Sequence, residues 1–296
     1  MVETLTTCTA SSRPGSPNDG DALFETDTNR IIVWDDNDSV WRVYNSDSIA
    51  LNTLGTNELH YPLGLWSSAS ATHYISVSPE IHFDASIMDG ADSANNPSDG
   101  GSVSSWGNRS GSSTSYTATQ ASAGSQPTWA SSSNGSKPAV IFDGGDKLTL
   151  ANEWTGAGDF TQITVSKSDH ANKAVVTAEV GSAYASTVWW RYSGNTDDYF
   201  LGNRDAHRFE TETFHMHTIT RTGTTYDIRE NGGSAINTAT DSTTVKVGQI
   251  GNIYLEGHDG DISEILVFNS QLSNSNLSKI GDYIDAKYGL STATFS

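Results

Sequence analysis

Apolar residues along this chain alternate in short runs more often than they recur at helical spacing. Residues 22–24, 31–34 and 40–44 are three such runs, divided by turn-forming residues at Asp27-Thr28-Asn29 and at 35–38. In the third, Val40, Arg42 and Tyr44 alternate with Trp41 and Val43, the period of a strand with one buried face. Residues 12–48 therefore predict a small β-meander. It is too small to be stable alone, so Phe24, Trp34 and Trp41 are expected to anchor it or to make it oligomerise. Residues 1–11 are polar and predict a flexible arm, and residues 49–77, with weak periodicity, predict a linker.

From residue 78 the alternation resumes at 137–143, 160–166, 174–179, 187–192, 215–221, 226–230, 246–250 and 261–268. Many short strands with no helical period between them predict a sandwich or barrel. The stretch 91–136 is rich in Ser and Gly, a composition that reads as disorder, but Trp106, Tyr116 and Trp129 should anchor it over a scaffold. One helix is predicted near the end. Leu277, Ile280, Ile284 and Tyr288 share a face, Ser273 can cap the start, and Gly289 stands where a C′ glycine belongs. This helix is expected to cover a sheet edge or one end of the sandwich.

Composition narrows the setting. A formal net charge of -19 on 296 residues repels phosphate backbones, which excludes nucleic acid and anionic membranes as partners. Cys8 is the one cysteine, so no intrachain disulfide can form. No apolar run reaches membrane length, so membrane insertion is not expected. The first residues lack a basic segment followed by an apolar one, which predicts synthesis in a reducing cytoplasm.

Several passages resemble the concanavalin-A-like lectin/laminin-G-like superfamily. They are residues 79–85 (Pro-Glu-Ile-His-Phe-Asp-Ala), 103–111, Gln126-Pro127-Thr128-Trp129, 137–144, 260–268, Leu272-Ser273 and 284–290. The resemblance covers about the last three quarters of the chain. It implies an all-β, two-sheet jelly-roll sandwich over 78–292, closed by a C-terminal helix and binding glycans or proteins at a loop-lined end. Arg13-Pro14-Gly15-Ser16-Pro17, 20–24, 26–30 and 33–41 resemble a short module of phage fibres. Together these resemblances imply a virion structural protein (tail fibre, head fibre or capsid decoration) made in the host cytoplasm and displayed on the virion. Its expected partners are other virion proteins, its own copies in a homotrimer, and a host-surface glycan or protein. On this reading the chain is not an enzyme.

Four sets of residues could carry chemistry. Asp259, Asp261 and Glu264 resemble the acidic strand of retaining glucanases of this fold, which need two carboxylates on one face about 5 Å apart. Glu264 joins that face only through a bulge, and the set defines the alternative reading, a glycan-degrading enzyme. His215 and His217, with His207, could hold a transition metal. Asp143, Asp146 and Asp261 could serve Ca²⁺, although Asp143 reads better as a turn acid, and no cofactor is expected. Trp189, Tyr192, Asn195, Asp197 and Tyr199 combine flat aromatic faces with planar polar groups, the chemistry of a sugar-binding loop.

Overall fold

The computed structural model describes residues 6–14, 22–25, 30–35, 40–44 and 77–296. Within the last range, 92, 111, 157, 170–175, 181–188, 192–197, 201–211, 241, 243 and 254–255 lie outside the description. The chain divides into two compact units, Met1–Ser76 and Val77–Ser296.

The first unit is one sheet in the order β1-β2-β3-β4, built from Thr6–Cys8 (β1), Ala22–Glu25 (β2), Arg30–Asp35 (β3) and Val40–Tyr44 (β4). The predicted meander is its antiparallel part. The register sets Phe24 opposite Ile31 and Trp34 opposite Trp41. Thr6–Cys8, inside the stretch read as an arm, adds a strand parallel to β2. The linker at 49–76 lies outside the described residues.

The second unit opens with Ile81–Asp84 (β5), Ser105–Trp106 (β6), Ala118–Thr119 (β7), Thr128–Asn134 (β8) and Lys137–Asp143 (β9). Leu148–Gly156 (β10), Phe160–Ser168 (β11), Thr177–Ala178 (β12), Trp189–Arg191 (β13) and Asp198–Phe200 (β14) follow. Then come His215–Thr222 (β15), Thr225–Glu230 (β16), Asn237–Thr240 (β17), Val245–Ile250 (β18), Asn252–Ile253 (β19), Glu256–Gly257 (β20) and Asp259–Phe268 (β21). The helix α1 is Asn274–Tyr288. One sheet runs β17-β16-β15-β11-β21-β9-β8, with β5 pairing β21 beyond the end of β9. The other runs β12-β18-β10-β7-β6. The fold is thus a sandwich of two antiparallel sheets with a C-terminal helix.

The larger sheet has two different faces. Ile81, Phe83, Val140, Phe142, Phe160, Ile219, Tyr226, Ile228, Ile262, Ile265 and Val267 turn inward and pack in one cluster with Leu148, Trp154 and Val247 of the smaller sheet. Period-2 alternation sends their neighbours outward. The register shifts opposite Val165/Ser166, because Val165 pairs with Glu264 and Ser166 with Ile262. Ser263 is the extra residue of this bulge, and Glu264 and Asp261 both face outward as a result.

Tertiary anchors override composition in the Ser/Gly stretch. Trp106 and Trp129 are buried, and their indole N–H groups donate to the carbonyls of Asp84 (3.2 Å) and Ala85 (2.7 Å). Gly107 allows the chain to pass close by, since a Cβ there would lie 2.1 Å from the Asp89 carbonyl oxygen. The helix is capped as its sequence predicts. Ser273 Oγ accepts from Asn276 N–H, and Gly289 at φ 71° sends its N–H to Asp285 O. The helix does not cover an edge: Tyr283, Lys287 and Tyr288 bind Glu264 of β21, which lies inside the larger sheet between β11 and β9/β5.

Candidate functional site

The outer face carries a buried ionic cluster made by three elements. β5 alternates Ile81 and Phe83 inward with His82 and Asp84 outward. The bulged β21 supplies Glu264, and α1 supplies Tyr283, Lys287 and Tyr288. His82, Asp84 and Glu264 each offer a ligand atom, all within 4.8 Å of one another. Glu264 Oε1 accepts from His82 Nε2 and from Tyr283 OH, both at 2.7 Å. Its Oε2 accepts from Lys287 Nζ at 2.9 Å and Tyr288 OH at 2.7 Å. Asp84 Oδ2 accepts from Lys287 at 2.8 Å and Arg109 at 2.7 Å, and its Oδ1 accepts from Ser86.

Burial alone would raise the carboxyl pKa of Asp84, but Lys287 and then Arg109 hold it well below the usual range. Burial opposes ionisation of Glu264 as well, and Lys287 and His82 outweigh it, so its pKa is also lowered. Burial lowers the pKa of His82 and keeps it neutral. Burial, then the charge of Glu264, raises the phenols of Tyr283 and Tyr288 well above their ordinary value. Two carboxylates therefore balance one ammonium and one guanidinium. This donor set could chelate a cation, but the Lys287 ammonium already bridges both acids, so a metal ion does not fit beside it.

The glucanase-like acids are not gathered into one site. Asp261 shares the outer face with Glu264, yet it is held by Ser133 Oγ and by Lys167 Nζ at 3.4 Å, with its pKa raised by burial. Asp259 pairs in register with Asp143. Asp143 Oδ1 accepts from Gly145 N–H at 2.8 Å, which is the behaviour of a turn acid. The proposed Ca²⁺ set of Asp143, Asp146 and Asp261 is not among the metal-sized groups found in the described residues.

The inner face is polar at one end. The register sets Gln162, Thr164 and Ser166 of β11 opposite Ile219, His217 and His215 of β15, and Glu230 of β16 lies opposite His217. In a sandwich, positions that face the other sheet are ordinarily apolar. Here Gln162 and Thr164 are fully buried and His215 is 6% exposed. Gln162 Nε2 donates to Thr177 Oγ1 at 2.9 Å. Gln162 Oε1, Thr164 Oγ1 and His215 Nε2 are buried with no hydrogen-bond partner among the described residues. His215 Nδ1 lies 2.6 Å from Glu230 Oε1, and the two imidazoles of His215 and His217 stack with centroids 5.8 Å apart. His258 packs edge-on against Phe142 of the same face, and burial pushes its pKa down to about 4.

Of the expected sugar-binding loop, Trp189 and Tyr199 lie on the β13–β14 hairpin, where Trp189 pairs with Phe200 and Trp190 with Tyr199. Tyr192, Asn195, Asp197 and His207 lie outside the described residues. Sequence reasoning missed the outer cluster, although two signals were present. His82 and Asp84 alternate with Ile81 and Phe83, and Lys287 falls on the apolar face of the helix with Ile280 and Ile284.

No family model matches the chain, and no curated protein matches it. Among solved structures, an arabinofuranosidase in complex with arabinofuranosyl-alpha-1,2-xylobiose is similar at 14% identity with a TM-score of 0.48, over 63% of this chain and 51% of that one. A Trypanosoma rangeli sialidase is similar at 13% identity with a TM-score of 0.45, over 70% of this chain and 33% of that one. The chain thus spans about half the length of the first and a third of the second.

The expectation of a virion fibre or decoration component that only displays a surface, with no enzymatic role, is corrected here. What overturns it is acid/histidine chemistry buried in a module expected to hold none: the His82, Asp84 and Glu264 cluster on the outer face and the paired His215 and Glu230 on the inner face. Among the described residues, no helix is long and apolar enough to cross a membrane.

Proposed function

We propose that this chain is a glycan-processing enzyme built on a lectin-like sandwich, with its reaction centre at the polar end of the inner face. The observation that carries this reading is the row of buried polar atoms at Gln162 Oε1, Thr164 Oγ1 and His215 Nε2, which have no hydrogen-bond partner among the described residues. Buried polar groups are normally satisfied, and each exception needs an explanation. An amide, a hydroxyl and an imidazole along one strip are the donors and acceptors that sugar hydroxyls require. The outer cluster supports the reading differently. Its acids are saturated by Lys287, Arg109, His82 and two tyrosines, so it pins the helix onto the sheet and fixes the strands that carry the strip.

The acidity of the chain favours a neutral glycan over a polyanionic one, because a net charge of -19 repels like charge. Self-association through the β-meander of residues 12–48 is a separate part of the proposal. It rests on the small size of that sheet, and a monomer in light scattering would remove it.

The test is turnover on a panel of native and acylated neutral polysaccharides, read both as new reducing ends and as released acid. Turnover on at least one of them supports the reading. Binding without turnover, or neither, overturns it.

A further inference from the structure

We infer that His215 is a catalytic general base oriented by Glu230, and that the reaction it serves is hydrolysis of an acyl ester carried by a neutral glycan. This inference rests on the glycan-processing reading and deepens it.

The geometry starts from the two ends of the imidazole. Nδ1 faces Glu230 Oε1 at 2.6 Å and Asn231 Nδ2 at 3.1 Å. The Asn231 amide is fixed, since its Oδ1 accepts the Met216 N–H at 2.8 Å. The Nδ1–H donates to the carboxylate, which lies at the shorter distance, and this tautomer leaves Nε2 as the basic nitrogen. That nitrogen is buried and has no hydrogen-bond partner among the described residues. A base held by a third group, with its working atom unengaged, is the arrangement required for activating a nucleophile. Asn231 follows Glu230 at φ 48°, a left-handed conformation that Asn tolerates and that turns the chain directly behind the pair. The Glu230 side chain is 17% exposed and is the part of this group that meets solvent.

The choice of reaction follows from what surrounds the base. Glycosidic cleavage needs two carboxyl groups across the scissile bond, about 5–5.5 Å or 6.5–9.5 Å apart. The carboxylate at the base, Glu230, is already engaged by His215. Elimination from a uronate needs a cation for the substrate carboxylate. Arg221, on this face, already donates to the carbonyls of Gly223 and Gly156. Ester hydrolysis needs only a base that later serves as an acid.

Ser166 is the hydroxyl opposite His215 in the ladder, but His215 Nε2 makes no hydrogen bond to it, which assigns the nucleophile to water. Nε2 takes a proton from water as the water oxygen bonds to the acyl carbon. The tetrahedral intermediate then collapses, the ester C–O bond breaks, and the sugar alkoxide takes that proton back from the imidazolium. Glu230 stabilises the imidazolium between the two steps. The products are a carboxylic acid and a free sugar hydroxyl.

The experiment uses the full chain with 4-nitrophenyl acetate and with acetylated xylan, following nitrophenolate by absorbance and acetate by NMR. Reducing ends are counted in the same tubes. Wild type is expected to release acetate without new reducing ends. His215→Gln should lower kcat by about 10²–10⁴-fold. Glu230→Gln should lower it by about 10²-fold or more. It should leave KM and Tm close to wild type, a split between kcat and KM that a merely structural role would not produce. Thr238→Ala on β17 should change nothing. New reducing ends without acetate release would overturn this inference and leave the glycan-processing reading standing. No turnover of any substrate would overturn both. Should His215→Gln fail to fold, Glu230→Gln decides: an unchanged kcat in that variant would refute the oriented base.

Discussion

Replacing Lys287 by Met should destabilise the sandwich in a way that depends on pH with a particular sign. Lys287 Nζ bridges Asp84 Oδ2 at 2.8 Å and Glu264 Oε2 at 2.9 Å, and all three side chains are almost fully buried. Removing one partner of a buried ion pair leaves an uncompensated charge and costs about 3–5 kcal/mol. For a domain of this size, each kcal/mol moves Tm by about 2–4 °C, so the expected loss at pH 7 is about 6–20 °C. In the wild type both carboxyl pKa values lie below their unfolded values. Their contribution is therefore complete above about pH 4 and is lost as pH falls through the folded values. In the variant the balance reverses. Burial without the ammonium lifts the folded pKa of the pair above the unfolded one, so the variant regains stability as pH drops from 7 towards 4. Calorimetry of both proteins across that range should show the Tm gap narrowing at lower pH. The double variant Lys287→Met/Glu264→Gln should lie closer to wild type than Lys287→Met alone. A gap below about 2 °C at pH 7, or one independent of pH, would refute the assignment of the cluster as a charge-balanced latch for the helix.

Other outcomes follow from single residues. His258 is buried with its pKa at about 4, against an ordinary 6.5. A lowered histidine contributes stability that is full above pH 6.5 and lost on the way down to 4, here about 3 kcal/mol. His258→Leu should flatten denaturation midpoints over that window, leaving the share of His82, whose pKa is lowered too. Trp129→Phe removes the donor 2.7 Å from the buried Ala85 carbonyl and should cost about 1–3 kcal/mol in urea unfolding. Gly107→Ala places a Cβ 2.1 Å from backbone and should cost about 3 kcal/mol or more, whereas Gly124→Ala, with nothing within 4 Å, should be neutral in the same titration.

The parts of this fold that the sequence made legible are those written in local periodicity. The run at 261–268, the helix with its Ser273 and Gly289 caps, and the anchoring of Trp106 and Trp129 can all be read without a partner. Even the bulge was legible as a condition, since Glu264 could join Asp261 only if one residue was extra. What periodicity does not contain is which strand lies beside which. His82 and Glu264 are 182 positions apart and meet because β5 pairs with β21, while Lys287 meets them because the helix crosses the sheet face instead of its edge. The same holds for His215. As a His-x-His strand it read as a metal site, and only the hairpin to β16 shows that its neighbour is Glu230. The glucanase-like acids misled for the converse reason. They are close in sequence, but Lys167 and Ser133 claim one and the helix claims another.

The most direct test of the account compares turnover and stability in two variants, His215→Gln and Lys287→Met, each assayed well below its own unfolding midpoint. The account predicts that His215→Gln keeps its Tm to within a few degrees and loses turnover on acylated glycan, while Lys287→Met loses Tm and keeps the kcat of its folded fraction. The reverse pattern, turnover lost in Lys287→Met and retained in His215→Gln, would move the reaction centre to His82, Asp84 and Glu264 and contradict the placement on the inner face.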